Sequence, residues 1–395
     1  MPRQFFSSLQ KHSEAKLRIL EGYVIPWMRK IVLGPKLTKG KCLVIDGFAG
    51  TGKYSEGAQD GSPLILLKSA ISFYEQAERH GWDEPNIWLL FIEGEKDNYM
   101  KLIHNIKDLT GLNYVNNNNS LNFESIPNYS SIHVALVNDT FENALSSLLN
   151  SLDSDETLIP SFCFVDPFGF KDTPLELISK YLNNDKAEIL LNFIYEETNR
   201  FINYQNPKIQ AHLSRLFGVD DLTELQNLIK DKSGAIRKEV IVDYYSRQLK
   251  EHTSVKHVLN FEIKKNGRTK LILFYGTKSP HGLKVMKKIM WKVDDTGFYM
   301  FDDRNTINQI QFDFIKEMQE TELREKLATL IANQFSGATV DIEEVEEYVL
   351  TKTIYPIENF MKPALKILEK QNLIQITTPR SKNYSYPAGT KIKFI

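Results

Sequence analysis

Apolar residues recur at helical spacing near the start of the chain, where Leu9, Leu17, Leu20, Tyr23, Val24 and Trp27 predict an amphipathic helix over about residues 8–29. Gly34-Pro35 ends it. The pattern then changes to short runs that are apolar throughout. Lys41-Cys-Leu-Val-Ile-Asp46, Ile87-Trp-Leu-Leu-Phe-Ile92, Ile132 to Val137, Phe162-Cys-Phe-Val165 and Glu188 to Phe193 each read as a buried strand. Helical stretches lie between them. One opens at Gly61-Ser62-Pro63, with Ser62 as N-cap and Pro63 at the first helical position; others fall near 96–110 and from about Phe141. Strands apolar on both faces and alternating with helices predict a parallel sheet covered on both sides. Residues 198–252 are helical by periodicity and read as an insertion or lid. Val258 to Lys265 and Thr269 to Gly276 then flank Asn266-Gly267, a strong hairpin signal.

The tail differs in kind. Helical patterns at about 318–335, 340–351 and 357–371 precede two strand-like runs, Leu373 to Thr378 and Lys391 to Ile395. Three helices and a two-stranded wing predict a small winged-helix domain over 313–395, after a larger domain over 1–312. Two domains suit a chain of 395 residues. The whole chain has 49 Lys+Arg against 50 Asp+Glu, so any basic surface is local. One exists: between Lys352 and Ile395 there are eight Lys/Arg against two Glu. Contact with DNA or RNA follows from charge and shape, against a solvated basic face or a protein-docking module.

Other features exclude more than they assign. Cys42 and Cys163, the only cysteines, sit inside strand-like runs and read as buried filler, with no disulfide framework or zinc spacing. No 18-residue apolar run appears, and the apolar stretch at Met1–Phe6 is too short for a signal peptide. No membrane and a cytoplasmic location are expected. The polar run Asn113 to Asn122 reads as an exposed loop.

The most informative stretch is Asp46-Gly47-Phe48-Ala49-Gly50-Thr51-Gly52-Lys53, directly after the first strand. Gly47, Gly52 and Lys53 fit the spacing of a phosphate loop. Tyr54 stands where a magnesium-holding hydroxyl should be, and the next helix begins about ten residues late to sit beneath phosphates. The other reading is the first motif of a class I S-adenosylmethionine-dependent methyltransferase. There, glycines let backbone approach the carboxypropyl end of the cofactor, and Asp46 suits a cationic ligand.

Under that reading each strand end has a role. Glu93, ending the second strand, would accept the ribose hydroxyls, and Asn138-Asp139, ending the third, would lie beside the adenine. The fourth strand would end at the transfer site, Asp166-Pro167-Phe168-Gly169. The expected cofactor-binding set is therefore Asp46, Gly47, Phe48, Gly50, Gly52, Glu93, Asn138 and Asp139. The expected catalytic set is Asp166, Pro167 and Phe168, with no metal. Plainer readings stand beside these: Asp46 and Asp166 as turn formers, Glu93 as a surface cap, Asp139 as the N-cap of the helix from Phe141. The expected fold is α/β: a doubly wound, Rossmann-like methyltransferase sheet of five parallel strands plus a terminal hairpin, with a helical insertion and a winged helix.

Methyl transfer from a sulfonium is an in-line displacement, so a protein mainly positions the acceptor and adjusts its protonation. Enzymes that methylate base amines end the fourth strand in Asp/Asn-Pro-Pro-aromatic, whose polar groups accept hydrogen bonds from the exocyclic amine while the ring stacks on the flipped base. Asp166 and Pro167 match that pattern, and Phe168 or Phe170 supplies a ring. The second proline and the terminal aromatic are missing. Asn192, near the end of the fifth strand, is expected at the same mouth.

Ile45-Asp-Gly-Phe-Ala-Gly50, Gly61-Ser-Pro-Leu64, Phe91-Ile-Glu93, Asp166-Pro-Phe-Gly169, Asn192-Phe193 with Asn199-Arg200-Phe201, Leu216-Phe-Gly218, and Phe274-Tyr-Gly-Thr277 through Met286 to Trp291-Lys292 together resemble the three-Cys-motif partner protein (TcmP) family. The resemblance spans about residues 10–300. It implies a methyltransferase-like fold, a partner protein bearing a three-cysteine motif, and commonly a winged-helix-like end; it supplies no substrate. Thr51 departs from the proline common in the family's glycine turn. Three functions are left open: a methyltransferase acting on nucleic acid, a non-catalytic S-adenosylmethionine-binding or degenerate module that recruits a partner or nucleic acid, and a phosphate-loop NTPase.

Overall fold

The computed structural model describes residues 11–34, 40–54, 59–114, 121–152, 156–294, 299–303 and 309–395, the side chains of His12 and 309–319 excepted. Met1–Phe6 and most of the polar run after Asn113 lie outside those residues. Contacts divide the chain into two compact units, Met1–Ser279 and Pro280–Ile395.

The first unit is built on seven main strands: β1 Lys41–Asp46, β2 Asn86–Ile92, β3 Tyr129–Val137, β4 Ser161–Val165, β5 Ala187–Phe193, β6 His257–Lys265 and β7 Arg268–Thr277. They lie in the order β6-β7-β5-β4-β1-β2-β3, and Glu124–Ile126 adds an antiparallel strand beyond β3. All pairs from β5 to β3 are parallel. β7 runs antiparallel to both β5 and β6. This is the expected α/β methyltransferase sheet, five parallel strands and a hairpin. Asn266 (φ 52°) and Gly267 (φ 73°) close that hairpin with two left-handed residues, as a tight type I′ turn needs. β4 and β5 are buried along their whole length, which is why both read as mainly apolar runs, with Glu188 and Asn192 of β5 as buried polar exceptions. Cys42 and Cys163 are free and buried, and burial pushes both thiols up.

Helices cover both faces: α1 Lys11–Val32, α2 Ser62–His80, α3 Lys96–Thr110, α4 Phe141–Asn150 and α5 Leu175–Leu182. Two caps differ from expectation. Gly61 is the N-cap of α2, so Ser62 is the first helical residue and its hydroxyl turns toward Asp46. Thr140 caps α4 by accepting from the Asn143 N–H at 3.2 Å, leaving Asp139 one residue outside.

The stretch over 198–252 is not a lid. Here α6 Tyr195–Phe201, α7 Pro207–Phe217, α8 Thr223–Ile229 and α9 Gly234–His252 form the crossover from β5 to β6. Leu213, Phe217, Ile229 and Tyr245 are buried in one cluster with Ile178, Leu191 and Phe274. Apolar faces this wide have to be covered, so these helices form a core layer rather than a mobile flap.

Midway along α1, the Tyr23 hydroxyl donates to Glu188 Oε2 at 2.5 Å, with Tyr275 and Thr277 donating to the same buried carboxylate at 2.8 Å. Burial pushes Glu188 up, and the three hydroxyls oppose it. This network ties α1 to β5 and β7.

The second unit contains α10 Pro280–Val293, α11 Gln309–Phe335, β8 Thr339–Asp341, α12 Ile342–Lys352, a π-helical turn Ile357–Met361 leading into α13 Lys362–Lys370, β9 Ile374–Ile376 and β10 Lys391–Phe394. The strands form an antiparallel sheet in the order β8-β10-β9. Two features differ from the sequence reading. β8 is an added strand, and the Asp341/Glu344 capping box starts α12 only after it. The division falls at 279/280 rather than 312/313 because α10 belongs with the tail. Its buried Lys287 ammonium donates to the carbonyls of Val349, Leu350 and Thr353, capping the end of α12. Trp291 donates to the Ile354 carbonyl at 2.6 Å.

Candidate functional site

In the sheet order, β2 lies on one side of β1 and β4 on the other, so the chain's winding reverses between β1 and β4. Ligands of open α/β sheets bind at the carboxyl ends of the strands beside that reversal. A cavity of about 260 Å³ opens there, slightly below the roughly 300–1,000 Å³ usual for small-ligand sites.

The glycine turn after β1 forms one wall. The Gly47 N–H donates to the Phe164 carbonyl at 2.9 Å, and a Cβ on Gly47 would lie 2.6 Å from the Phe141 ring. Gly52 (φ 82°) turns the chain into a two-stranded ribbon, Lys53–Tyr54 against Gln59–Asp60. That ribbon is incompatible with a phosphate loop, whose turn must run straight into a helix N-terminus; α2 starts only at Ser62.

Asp46 is fully buried. Its Oδ1 accepts from the Phe48 N–H at 3.2 Å, while Oδ2 has no hydrogen-bond partner among the described residues. Burial pushes its pKa up to about 7, with Asp166 and Glu93 adding to the rise and the Ser62 hydroxyl and Phe48 N–H opposing it. An acid in this state is poised to gain a cationic neighbour.

Glu93 is buried at the end of β2. Its Oε2 accepts from the Gly50 N–H at 2.8 Å and its Oε1 from the Glu95 N–H at 2.7 Å. Burial raises its pKa against those bonds. The Asn98 side chain bonds it as well, so of a carboxylate's roughly four lone-pair positions one is left for a ribose hydroxyl. Asn138 donates to the Glu93 carbonyl at 2.8 Å and so fixes that corner. Asp139 accepts from the Thr140 N–H at 2.7 Å and the Asn143 amide at 2.9 Å.

Asp166 follows β4 and meets two side chains. The Lys16 ammonium of α1 donates to both carboxylate oxygens, at 2.8 and 2.6 Å, and Asn192 Nδ2 of β5 donates to Oδ1 at 2.5 Å. Pro167 and the Phe168 ring, 59% exposed, continue the rim. Beyond it, Phe170, Phe201 and Tyr204 form an aromatic series with ring centroids about 6 Å apart.

Phe48, Gly50, Gly52, Asp166, Pro167, Phe168 and Asn192 thus share one cavity. Asp46, Gly47, Glu93, Asn138 and Asp139 are not in its lining, Asp46 and Gly47 directly preceding the lining residue Phe48. Lys16 and Glu197 line it as well and were not anticipated as ligand groups; Lys53, also in the lining, was read only as the lysine of the phosphate-loop alternative. Lys16 carried a signal: it falls on the apolar stripe of α1, four residues before Leu20, where a charge needs a partner.

No family model matches the chain, and no curated protein matches it in sequence. Among solved structures it is similar to Trm1 from Pyrococcus horikoshii in complex with S-adenosyl-L-methionine, at 9% identity over 96% of this chain and 90% of that one, with a TM-score of 0.37. It is also similar to loganic acid methyltransferase with SAH (8% identity, 97% and 94% covered, TM-score 0.27) and to the citrinin polyketide synthase CMeT domain (11%, 62% and 48%, 0.28). At these scores the fold rests on this chain's own strand order and the site on its own residues.

Proposed function

We propose that this chain is an S-adenosylmethionine-dependent methyltransferase acting on an amino group of nucleic acid. The observation carrying the cofactor is Asp46: a buried, half-satisfied acid beside a glycine turn at the sheet's reversal. Such a group is costly unless a cation completes it. The residues present fit S-adenosylmethionine. Gly50 and Gly52 give the close backbone approach, Asp46 supplies the counter-charge, and Glu93, next to the cavity rather than in its lining, keeps one lone-pair position for a ribose hydroxyl. When bound, the cofactor supplies an electrophilic methyl group on a cationic sulfur.

The protein's own part is positional. Asp166 has one lone-pair position left after Lys16 and Asn192, enough to accept one N–H from an acceptor amine. Phe168 and the series Phe170–Phe201–Tyr204 offer stacking faces for an unpaired base, worth about 1–3 kcal/mol per stacked base. The Asp166 carboxylate, held in place by Lys16 and Asn192, is placed to accept the hydrogen bond of the amine N–H that methylation replaces.

The second unit supports the nucleic-acid reading. Its order of helix, strand, two helices and two strands fits a winged helix, and Lys362, Lys366 and Lys370 lie exposed at four-residue spacing on α13. Tyr384 sits 5.4 and 5.9 Å from the last two ammonium groups. The resemblance to the TcmP family adds a three-Cys-motif protein as the partner with which the enzyme works.

A second reading has its own support. Lys16 occupies both oxygens of Asp166, as an internal cation filling the acceptor position would in a non-catalytic cofactor-binding module. Incubation with methyl-labelled S-adenosylmethionine and total RNA or DNA separates the two. Label in nucleic acid that is lost in Asp166→Ala supports the enzyme; bound cofactor without transfer, with and without the partner protein, supports the module.

A further inference from the structure

Three lysines line the cavity, and among the described residues one of them has no paired carboxylate. Lys16 is spent on Asp166. Lys270, at the far rim, pairs with Glu196 at 2.6 Å. Lys53 is different. Its cross-strand neighbour in the ribbon is Asp60, the natural partner for a lysine in an antiparallel pair. Asp60, however, is committed to Lys68 of α2 at 2.5 Å. Among the described residues no carboxylate pairs with Lys53.

The backbone around Lys53 is nevertheless held firmly. Its carbonyl accepts from the Thr51 hydroxyl at 2.6 Å, the Thr51 carbonyl accepts from the Asn105 amide at 2.7 Å, and the Gly61 N–H donates to the Gly52 carbonyl at 2.7 Å. A half-buried lysine on a pinned ribbon, facing a cavity and without a carboxylate partner among the described residues, is a prepared anion site. The side chain emerges directly from the glycine turn, the wall that approaches the amino-acid end of the cofactor. On the other side of that turn is Asp46, which suits the cationic part of the same ligand.

We infer that Lys53 is the counter-ion for the α-carboxylate of the cofactor's methionine moiety, so that the glycine turn recognises a zwitterion by a matched cation and anion. This rests on the S-adenosylmethionine reading and assigns one further contact within it. A prediction specific to the carboxylate follows. S-adenosylhomocysteine carries that group, and 5′-methylthioadenosine has the same nucleoside and thioether without it.

The test is calorimetric titration of the full chain, as wild type, Lys53→Met and Lys53→Arg, with both ligands. Lys53→Met is expected to weaken S-adenosylhomocysteine binding by about 10- to 100-fold, the worth of one charge-assisted bond. Binding of 5′-methylthioadenosine should be unchanged, and Lys53→Arg should restore most of the loss. Unchanged S-adenosylhomocysteine affinity in Lys53→Met, or an equal loss for both ligands, overturns the inference. Equal loss would mark a structural role, which a matching fall in melting temperature would corroborate. Failure of the wild type to bind either ligand overturns the cofactor reading itself, and this inference with it.

Discussion

At the scale of single residues, Asp46 sets the most specific expectation. Its folded pKa, about 7, lies above that of an unfolded aspartate. The favourable contribution is therefore complete below about pH 4 and is lost as pH rises through about 7. Asp46→Asn removes this loss. In denaturant titrations the variant should gain on wild type from pH 5 to pH 8, by up to on the order of 4 kcal/mol, and show no gain near pH 4. A gap independent of pH would mean that Asp46 is not held in this state. Cofactor binding should release a proton near pH 7, measurable as a dependence of binding heat on buffer ionisation enthalpy. Gly47 sets a steric expectation. In Gly47→Ala the added methyl meets the Phe141 ring, and overpacking of this kind costs about 1–3 kcal/mol. Chemical denaturation measures it, and a cost near zero would show that the ring moves aside freely.

At the scale of elements, α1 is held at two points about two turns apart: Lys16 on Asp166 and Tyr23 on Glu188. The first belongs to the candidate site and the second to the core. Tyr23→Phe removes one of three donors from a buried carboxylate and should cost about 1–3 kcal/mol. Amide exchange should then quicken along α1 before it does in β4 or β5; uniform quickening would contradict the anchoring role. In the second unit, Lys287→Met leaves three carbonyls at the end of α12 without their donor and should lower that unit's melting temperature.

These elements also show what was legible in the chain. β1, β2, β4 and β5 were readable to within a residue because strands buried on both faces are apolar at most positions. The turn at Asn266-Gly267 was readable because few residues accept two left-handed conformations. Less legible was anything decided by tertiary partners. Ser62 looks like an N-cap locally, but the helix is capped one residue earlier, at Gly61. Residues 198–252 carry helical periodicity, which does not say that they cover the sheet. β8 is only three residues long, too short for a periodic signal. In the site, Asp46, Glu93 and Asp166 announce themselves as acids after apolar runs. The pairing of Asp166 with Lys16, 150 residues away, leaves only the faint mark of a charge on an apolar stripe.

At the scale of the whole molecule, a near-neutral chain carries a local excess of lysine and arginine at its end. If that excess contacts phosphates, Lys362→Glu with Lys366→Glu should weaken RNA or DNA binding and lower the slope of log affinity against log salt by about one per lysine that contacts a phosphate. A salt slope unchanged in the double variant would move nucleic-acid contact elsewhere. No helix among the described residues is long and apolar enough to cross a membrane. The central claim, however, is the cofactor site at the end of β1. Titration calorimetry of ligand-free wild-type protein with S-adenosylmethionine, and with S-adenosylhomocysteine and ATP as comparators, tests it most directly. The account predicts micromolar binding of the first two, none of ATP, and strong weakening of S-adenosylmethionine binding in Asp46→Asn. Folded protein that binds neither methionine-derived ligand, or that binds both equally well without Asp46, would contradict it.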